Sequence, residues 1–162
     1  MRHEQRGFSL IELLIVVAII LIIAAIAIPN FLRSRVAANQ ASAIESLRVI
    51  STAEVTFSTT YGSGFSSSMV YLAPPAAGQQ TTSTAAGLID SVLAGGYKSG
   101  YSFFYTATLF DAGSGIWNGY NLLANPSTFG QTGGVYYYTD QSFVIRANTT
   151  TPAASTDSAV GD

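Results

Sequence analysis

An uncharged apolar run near the start of the chain limits its possible folds more than any other feature. From Leu13 to Leu32, 20 consecutive residues carry no charged side chain. As an α-helix this run would be roughly 30 Å long, which matches the hydrocarbon core of a bilayer. Arg2 and Arg6 precede it, and positive residues favour the cytoplasmic side of a span. The run therefore predicts a membrane-spanning helix with its N-terminus in the cytoplasm.

Hydropathy alone leaves two general interpretations of this run open. A secretory signal peptide is one, because Ala25-Ile26-Ala27 is typical of a cleavage site. The run is long for a signal peptide, however, and a helical pattern continues beyond it. A plain membrane anchor is the other, but it does not explain Glu12. An acidic residue costs about 2.5–3.5 kcal/mol at the centre of a span and less near its end.

The composition excludes several classes of function. Seven basic and nine acidic residues give a net charge of −2, so the chain has no basic patch for binding nucleic acid. It has no cysteine, and its single histidine is His3. Disulfides, thiolate nucleophiles and most zinc sites are therefore excluded or disfavoured. We predict a protein that is not an enzyme and that needs no cofactor.

The residues before the apolar run form a specific pattern. A short basic leader ends at Gly7, Phe8 follows, and Glu12 stands at the fifth position from Phe8. This pattern resembles the N-terminal signature of the type IV pilin family. The resemblance continues through the apolar run, where Pro29 falls at a position at which many family members also have a proline.

The resemblance implies a role for each of these residues. A prepilin peptidase would cut between Gly7 and Phe8, and the same enzyme would methylate the new amino group of Phe8. Glu12 would be the carboxylate used in assembly and docking, and Pro29 would kink the helix. The apolar helix would first anchor the subunit in the membrane and then form the core of a filament.

The resemblance also implies partners and a location. The partners are copies of the same chain in a helical filament, the prepilin peptidase/methyltransferase, the inner-membrane assembly machinery, and membrane lipid before assembly. The precursor would be a single-pass protein of the inner membrane, and the mature subunit would lie in an extracellular surface filament. Adhesion, motility and DNA uptake are the roles implied. Two departures are the absence of a cysteine-closed loop and of glycine between Phe8 and Pro29.

The expected fold is α+β, with a long N-terminal helix whose second half packs on a small antiparallel β-sheet head. We predict a leader over residues 1–7, a transmembrane and filament-core segment over 8–32, and an amphipathic half of the same helix over 33–61. A globular head over 62–148 and a polar, flexible tail over 149–162 complete the chain.

The second half of the helix has one apolar face. Its members recur every three or four residues: Ala43, Leu47, Ile50, Phe57 and Tyr61. Our reading of this pattern places Glu45, Arg48 and Glu54 off that face. Gly62-Ser63-Gly64 then predicts the end of the helix.

The sequence of the head predicts a loop, a short helix and several strands. We expect a loop over 65–85 and a helix over 86–94. The strand candidates are 101–109, 116–123, 135–139 and 142–148, with a hairpin at Asp140-Gln141. They predict an antiparallel sheet of three or four strands.

Two alternative functions are retained. A pseudopilin of a type II secretion system shares the N-terminal signature, but typically has a calcium-binding loop. The acidic residues considered for calcium are scattered and lack EF-hand spacing, so no metal site is predicted: Asp111, Asp140, Asp157 and Asp162. The long Ser/Thr-rich head also favours a pilus subunit. The second alternative is a membrane-anchored binding domain, which would need a concave site with converging polar groups.

Overall fold

The computed structural model describes residues 8–161, so the predicted leader with Gly7 lies outside the described residues. Contacts divide the chain into two compact units, one ending at Arg35 and one beginning at Val36. The helices are α1 (Leu10–Tyr61), a 3-10 helix (Met69–Leu72) and α2 (Ser91–Ala94). The strands are β1 (Tyr97–Lys98), β2 (Tyr101–Asp111), β3 (Ile116–Pro126), β4 (Tyr136–Asp140) and β5 (Arg146–Asn148).

The first part of α1 is apolar on every side. Its large side chains between Leu10 and Leu32 are exposed within the protein. By length and composition, α1 contains a segment able to cross a membrane. The helix bounds are Leu10 and Tyr61.

The predicted end of α1 is confirmed. The helix stops at Tyr61, and Gly62 takes a left-handed backbone with φ +62°. Gly64 has a different reason to be glycine, because a Cβ there would collide with the carbonyl oxygen of Trp117. The Phe65 amide donates to that carbonyl at 2.8 Å, which joins the segment after the helix to β3.

The sheet has five antiparallel strands in the order β1-β2-β3-β4-β5. The predicted number of strands, three or four, was therefore too small. The additional strand, β1, has only two residues, too few for an alternating pattern to be visible. Strand β5 is shorter than predicted, because a turn at residues 141–142 and an irregular segment over 143–145 precede it. In that turn the Phe143 amide donates to the Asp140 carbonyl at 3.0 Å.

The helix predicted over 86–94 is confirmed only in its last turn, Ser91–Ala94. Residues before it instead bond to the 3-10 helix, with the Ala86 amide donating to the Tyr71 carbonyl at 2.8 Å. Asp90 caps the short helix by accepting from the Leu93 amide at 2.8 Å. Tertiary hydrogen bonds thus override the local helical pattern.

The core lies between one face of α1 and one face of the sheet. The helix contributes Ala43, Leu47, Ile50, Ala53 and Phe57, and the strands contribute Tyr101, Phe103, Tyr120, Leu122, Ala124 and Tyr137. The predicted helix face is thereby confirmed, with one exception described below. The α+β, pilin-like fold predicted from the sequence is also confirmed.

The tail lies along β5. The Ala147 amide donates to the Ser158 carbonyl at 3.0 Å, and the Val160 amide donates to the Ile145 carbonyl at 2.8 Å. Ala153 is buried. A flexible tail was expected from composition, whereas these bonds cover backbone groups that β5 would otherwise expose as an edge strand.

Truncation of the fully buried Leu47 tests the core. We expect Leu47→Ala to lower the free energy of unfolding of a fragment spanning residues 36–161 by about 2–5 kcal/mol, because it removes packing and leaves a cavity. Val49→Ala, at a side chain 38% exposed, is the matched control and should change it by less than about 0.5 kcal/mol. Chemical denaturation measures both, and equal losses would contradict this placement of the core.

Candidate assembly site and a buried carboxylate

The candidate assembly site begins where α1 begins. The Leu13 amide donates to the Ser9 carbonyl at 3.2 Å, which forms the first turn. Glu12 lies in that turn and is exposed, and Phe8 is 72% exposed. A carboxylate at a helix N-terminus is stabilised by about 0.3–1 kcal/mol through the helix dipole. Among residues 8–161, Glu12 forms no ion pair.

Cleavage after Gly7 would change the charge of this site. In the intact chain the Phe8 nitrogen is a peptide amide, and hydrolysis of that bond turns it into an ammonium group. This cation would lie four residues before the Glu12 carboxylate. Both residues are exposed, so the geometry allows a pair within one chain or between two chains.

Pro29 lies inside α1, which continues past it. Proline has no amide hydrogen, so the carbonyl of Ala25 lacks its usual helical donor. The helix is therefore weakened at this turn even though its bounds are continuous. The kink at Pro29 stays a prediction.

The position of Glu54 in the structure differs from the one predicted from the sequence. We placed it off the apolar face, but its side chain is fully buried. The Ser66 hydroxyl donates to its Oε1 at 2.6 Å, and the Ser66 amide donates to its Oε2 at 2.8 Å. The carboxylate therefore holds the segment after the helix against α1.

Tyr105 extends this network to the sheet. Its hydroxyl donates to the Ser66 carbonyl at 2.7 Å, and its ring stacks on Tyr120 with centroids 5.6 Å apart. Three separate parts of the fold, namely α1, the segment after it and β2, thus meet at Ser66. No basic side chain of residues 8–161 forms an ion pair with Glu54.

Burial sets the protonation behaviour of this cluster. Loss of solvent raises the pKa of Glu54 above its usual value, although the two bonds from Ser66 act in the opposite direction. Burial, with the nearby Glu54 carboxylate, also raises the pKa of Tyr105. Burial raises the pKa of Tyr120 to about 12, so both phenols stay neutral at ordinary pH.

The sequence contained a signal for Glu54 that our reading did not use. Glu54 lies four residues after Ile50 and three before Phe57, which continues the apolar face without a gap. Its charge led us to place it on the surface. No comparable signal marked Ser66 or Tyr105, because only the fold brings them to Glu54.

The raised pKa of Glu54 gives a testable dependence of stability on pH. The folded state binds this proton more tightly than the unfolded state, so the contribution of Glu54 to stability is greatest below its unfolded pKa. It falls as pH rises through the folded pKa. Glu54→Gln removes the titration, and we expect the stability of this variant relative to wild type to increase as the pH rises above 4.5, the ordinary pKa of a glutamate.

Thermal melting of the two proteins across this pH range measures the effect. Glu45→Gln is the control, because Glu45 is exposed and its 3.6 Å pair with Arg48 is also exposed. Its pH profile should follow the wild type. Parallel profiles for Glu54→Gln and wild type would show that the buried carboxyl does not titrate differently on folding.

Comparisons with known proteins give one family-model match and one related protein. Residues 2–28 match the family model described as the prokaryotic N-terminal methylation motif. The chain is 54% identical over 54 residues to the type IV major pilin protein PilA of Myxococcus xanthus (strain DK1622). That alignment covers 33% of this chain and 24% of the relative. No solved structure matches the chain.

The family-model match includes the residues that carry the resemblance found in the sequence, namely Phe8, Glu12 and the start of the apolar run. The described fold, a long apolar helix with an antiparallel sheet, has the same pilin-like character. The N-terminal motif and the relative together support the type IV pilin family for this chain.

Proposed function

We propose that this chain is a structural subunit of a type IV pilus, cut between Gly7 and Phe8 and assembled through its apolar helix into a surface filament. The observation that carries the proposal is Glu12, an exposed carboxylate in the first turn of a helix that is otherwise uncharged as far as Leu32. It stands four residues beyond the junction at which a new ammonium group would form.

The uncovered apolar helix supports assembly with other copies. Outside a membrane its side chains would meet water, at a cost of about 25 cal/mol per Å² of apolar surface. Packing many such helices together replaces lipid contacts with helix contacts and avoids that exposure. Because lipid and helix are similarly apolar, this packing by itself gives little preference for direction or register.

A charge pair would supply the missing register. In an apolar bundle, an unpaired ammonium group at Phe8 or an unpaired carboxylate at Glu12 would each be costly. We propose that Glu12 of one subunit neutralises the amine of its neighbour, which selects one axial position for the incoming subunit. This role is structural, and the protein acts without catalysis or cofactor.

The same proposal covers location and partners. The precursor sits in the inner membrane with Arg2 and Arg6 on the cytoplasmic side, where a prepilin peptidase cuts it and methylates Phe8. The inner-membrane assembly machinery then moves the subunit from lipid into the filament. Adhesion, motility and DNA uptake are the candidate roles of that filament.

Processing can be tested by mass. We expect the subunit from sheared surface filaments to lack residues 1–7 and to carry one added methyl group. Gly7→Val should leave the precursor uncut, because a branched side chain hinders access of the peptidase to the backbone. Intact-mass measurement of the wild type and of the membrane-retained variant checks both, and a mature start at Ile28 would support the signal-peptide interpretation instead.

Assembly can be tested at Glu12. Glu12→Gln keeps the size of the side chain and lowers the cost of membrane insertion, so a plain anchor should tolerate it. A docking subunit should lose most of its filaments, because the amine of Phe8 would be unpaired in the bundle. Electron microscopy and filament yield measure this, with subunit level, membrane location and the processed N-terminus as controls.

Mixed expression of the variant with wild type separates the two kinds of pair. An interchain pair predicts that the variant enters filaments at reduced density, beside wild-type neighbours. Abundant filaments from Glu12→Gln alone would defeat the docking role and leave only the local effect at the helix end. A wild type that makes no surface filaments would favour the secretion pseudopilin.

A further inference from the structure

A pocket lies in the head at the point where α1 ends, and we call it the loop pocket. It lies between the last turns of α1, the segment over residues 63–71, residues 83–84 and the turn that leads into β3. Its volume is about 360 Å³. Small-molecule sites in proteins typically measure about 300–1,000 Å³, so the loop pocket is large enough to hold a ligand.

The lining of the loop pocket is aromatic and rich in hydroxyl groups. Half of the described residues that line it are aromatic, namely Phe57, Tyr61, Phe65, Tyr71 and Trp117. Four others carry a small side chain with a hydroxyl: Ser63, Ser67, Ser83 and Thr84. None of the described lining residues is charged. The pocket therefore offers apolar ring surfaces together with neutral donors and acceptors of hydrogen bonds.

The polar groups of the loop pocket are available to a ligand. The Phe57 ring is buried and packs on the Tyr61 ring with centroids 4.9 Å apart, whereas Tyr61 and Tyr71 are half-buried. In the part of the chain that the structure describes, the side-chain hydroxyls of Tyr61, Tyr71 and Ser67 form no hydrogen bond within the protein. Phe57 thus supports the Tyr61 ring from the inside, and the free hydroxyls can bond to a bound molecule.

The walls of the loop pocket are fixed by hydrogen bonds of the fold. The bond from the Phe65 amide to the Trp117 carbonyl joins two of them, and the segment after α1 is also held by Glu54. Residues 83–84 lie in a tight turn, because Thr82 and Ala85 exchange two backbone bonds of 3.1 and 3.0 Å. A pocket whose walls are already in place loses less conformational entropy when a ligand binds.

We propose that the loop pocket binds a neutral carbohydrate. This inference goes beyond the proposed function, because it gives the head a ligand that filament assembly does not require. A sugar ring presents C–H groups on its faces, which pack on aromatic rings such as those of Tyr61 and Tyr71. It presents hydroxyl groups around its rim, and these donate to and accept from serine, threonine and tyrosine hydroxyls.

The lining disfavours other classes of ligand. A phosphate or carboxylate group is normally bound by Arg or Lys, which the described lining does not contain. A wholly apolar ligand would cover the hydroxyls of the pocket without giving them partners, which costs free energy. A proline-rich peptide also packs on aromatic rings, but proline side chains have no hydroxyl to pair with Ser67 or Ser83. A neutral sugar matches both the rings and the hydroxyls.

Binding is first tested on a printed array that carries neutral glycans, acidic glycans and decaproline. The sample is the full chain in a detergent with a phosphocholine head group, because the head group of a sugar-based detergent would compete for the pocket. We expect a subset of the neutral glycans to bind. Titration with the strongest of these glycans as a free oligosaccharide then gives the Kd.

Two variants of lining residues test the position of the site. Tyr71 lies outside the hydrophobic core, and Tyr71→Ala should weaken binding about tenfold because it removes a stacking ring. Tyr71→Phe keeps the ring and should bind more tightly than Tyr71→Ala. Ser83 is exposed, and Ser83→Ala should weaken binding about threefold because it removes a hydrogen-bonding group. The melting temperature of each variant checks that the head remains folded.

Tyr97→Ala is the matched control, because Tyr97 is an exposed tyrosine on β1 that is not part of the loop pocket. This variant should bind as the wild type does. Free oligosaccharides and polysaccharide surfaces present the same chemistry, and sedimentation of sheared filaments with the matching insoluble polysaccharide distinguishes them. Filaments that sediment with it indicate a surface as the ligand, whereas binding by solubilised subunits alone indicates a free oligosaccharide.

Three results would overturn the inference. One is an array on which no neutral glycan binds. Another is unchanged affinity in both Tyr71→Ala and Ser83→Ala, which would place the sugar elsewhere on the head. The third is binding of decaproline that both variants weaken and that no glycan displaces, which would make the pocket a peptide site. These measurements use separated subunits, so their failure leaves the proposed filament function intact.

Discussion

The burial of one face of α1 against the sheet is the interaction on which the rest of the head depends. The helix contributes Leu47, Ile50 and Phe57 to the core, and the strands contribute Tyr120 and Leu122. A five-stranded sheet with one apolar face and a single amphipathic helix cannot bury those faces separately. Once they meet, the segment after Gly62, the short helices and the tail all have a surface to pack on. The absent disulfide is compensated by apolar burial and by stacked aromatic pairs such as Tyr105 and Tyr120.

Two carboxylates on α1 show how the surroundings decide the role of one residue type. Glu54 is desolvated inside the head and accepts two hydrogen bonds from Ser66. It therefore holds the segment after the helix against α1. Glu12 is exposed at the start of an apolar helix and has no ion-pair partner among residues 8–161. A buried acid with satisfied oxygens stabilises one fold, whereas an acid left unpaired in an apolar environment requires a cation from elsewhere. This difference is why we propose assembly for Glu12 alone.

The outward side of the same helix completes this arrangement. Its threonines bond back to the helix and its one charge pair is internal, so the surface is compatible with both water and apolar contact. The strained turn at Phe143 adds apolar area beside it without contributing to the core.

The sequence by itself determined the apolar run, the Gly7-Phe8 junction, the position of Glu12 and the apolar periodicity of residues 43–61. Each of these is a local property, readable from charge, hydropathy or spacing. It also predicted the α+β class and most strands, but not the two-residue β1 or the turn before β5. Only the tertiary structure decided the environment of Glu54, because its partners Ser66 and Tyr105 lie 12 and 51 residues along the chain. From the sequence alone, a charged residue on an apolar helix face looks like a break in the apolar pattern. Whether that residue can be buried depends on hydrogen-bond partners that are distant in sequence, and only the fold brings them together.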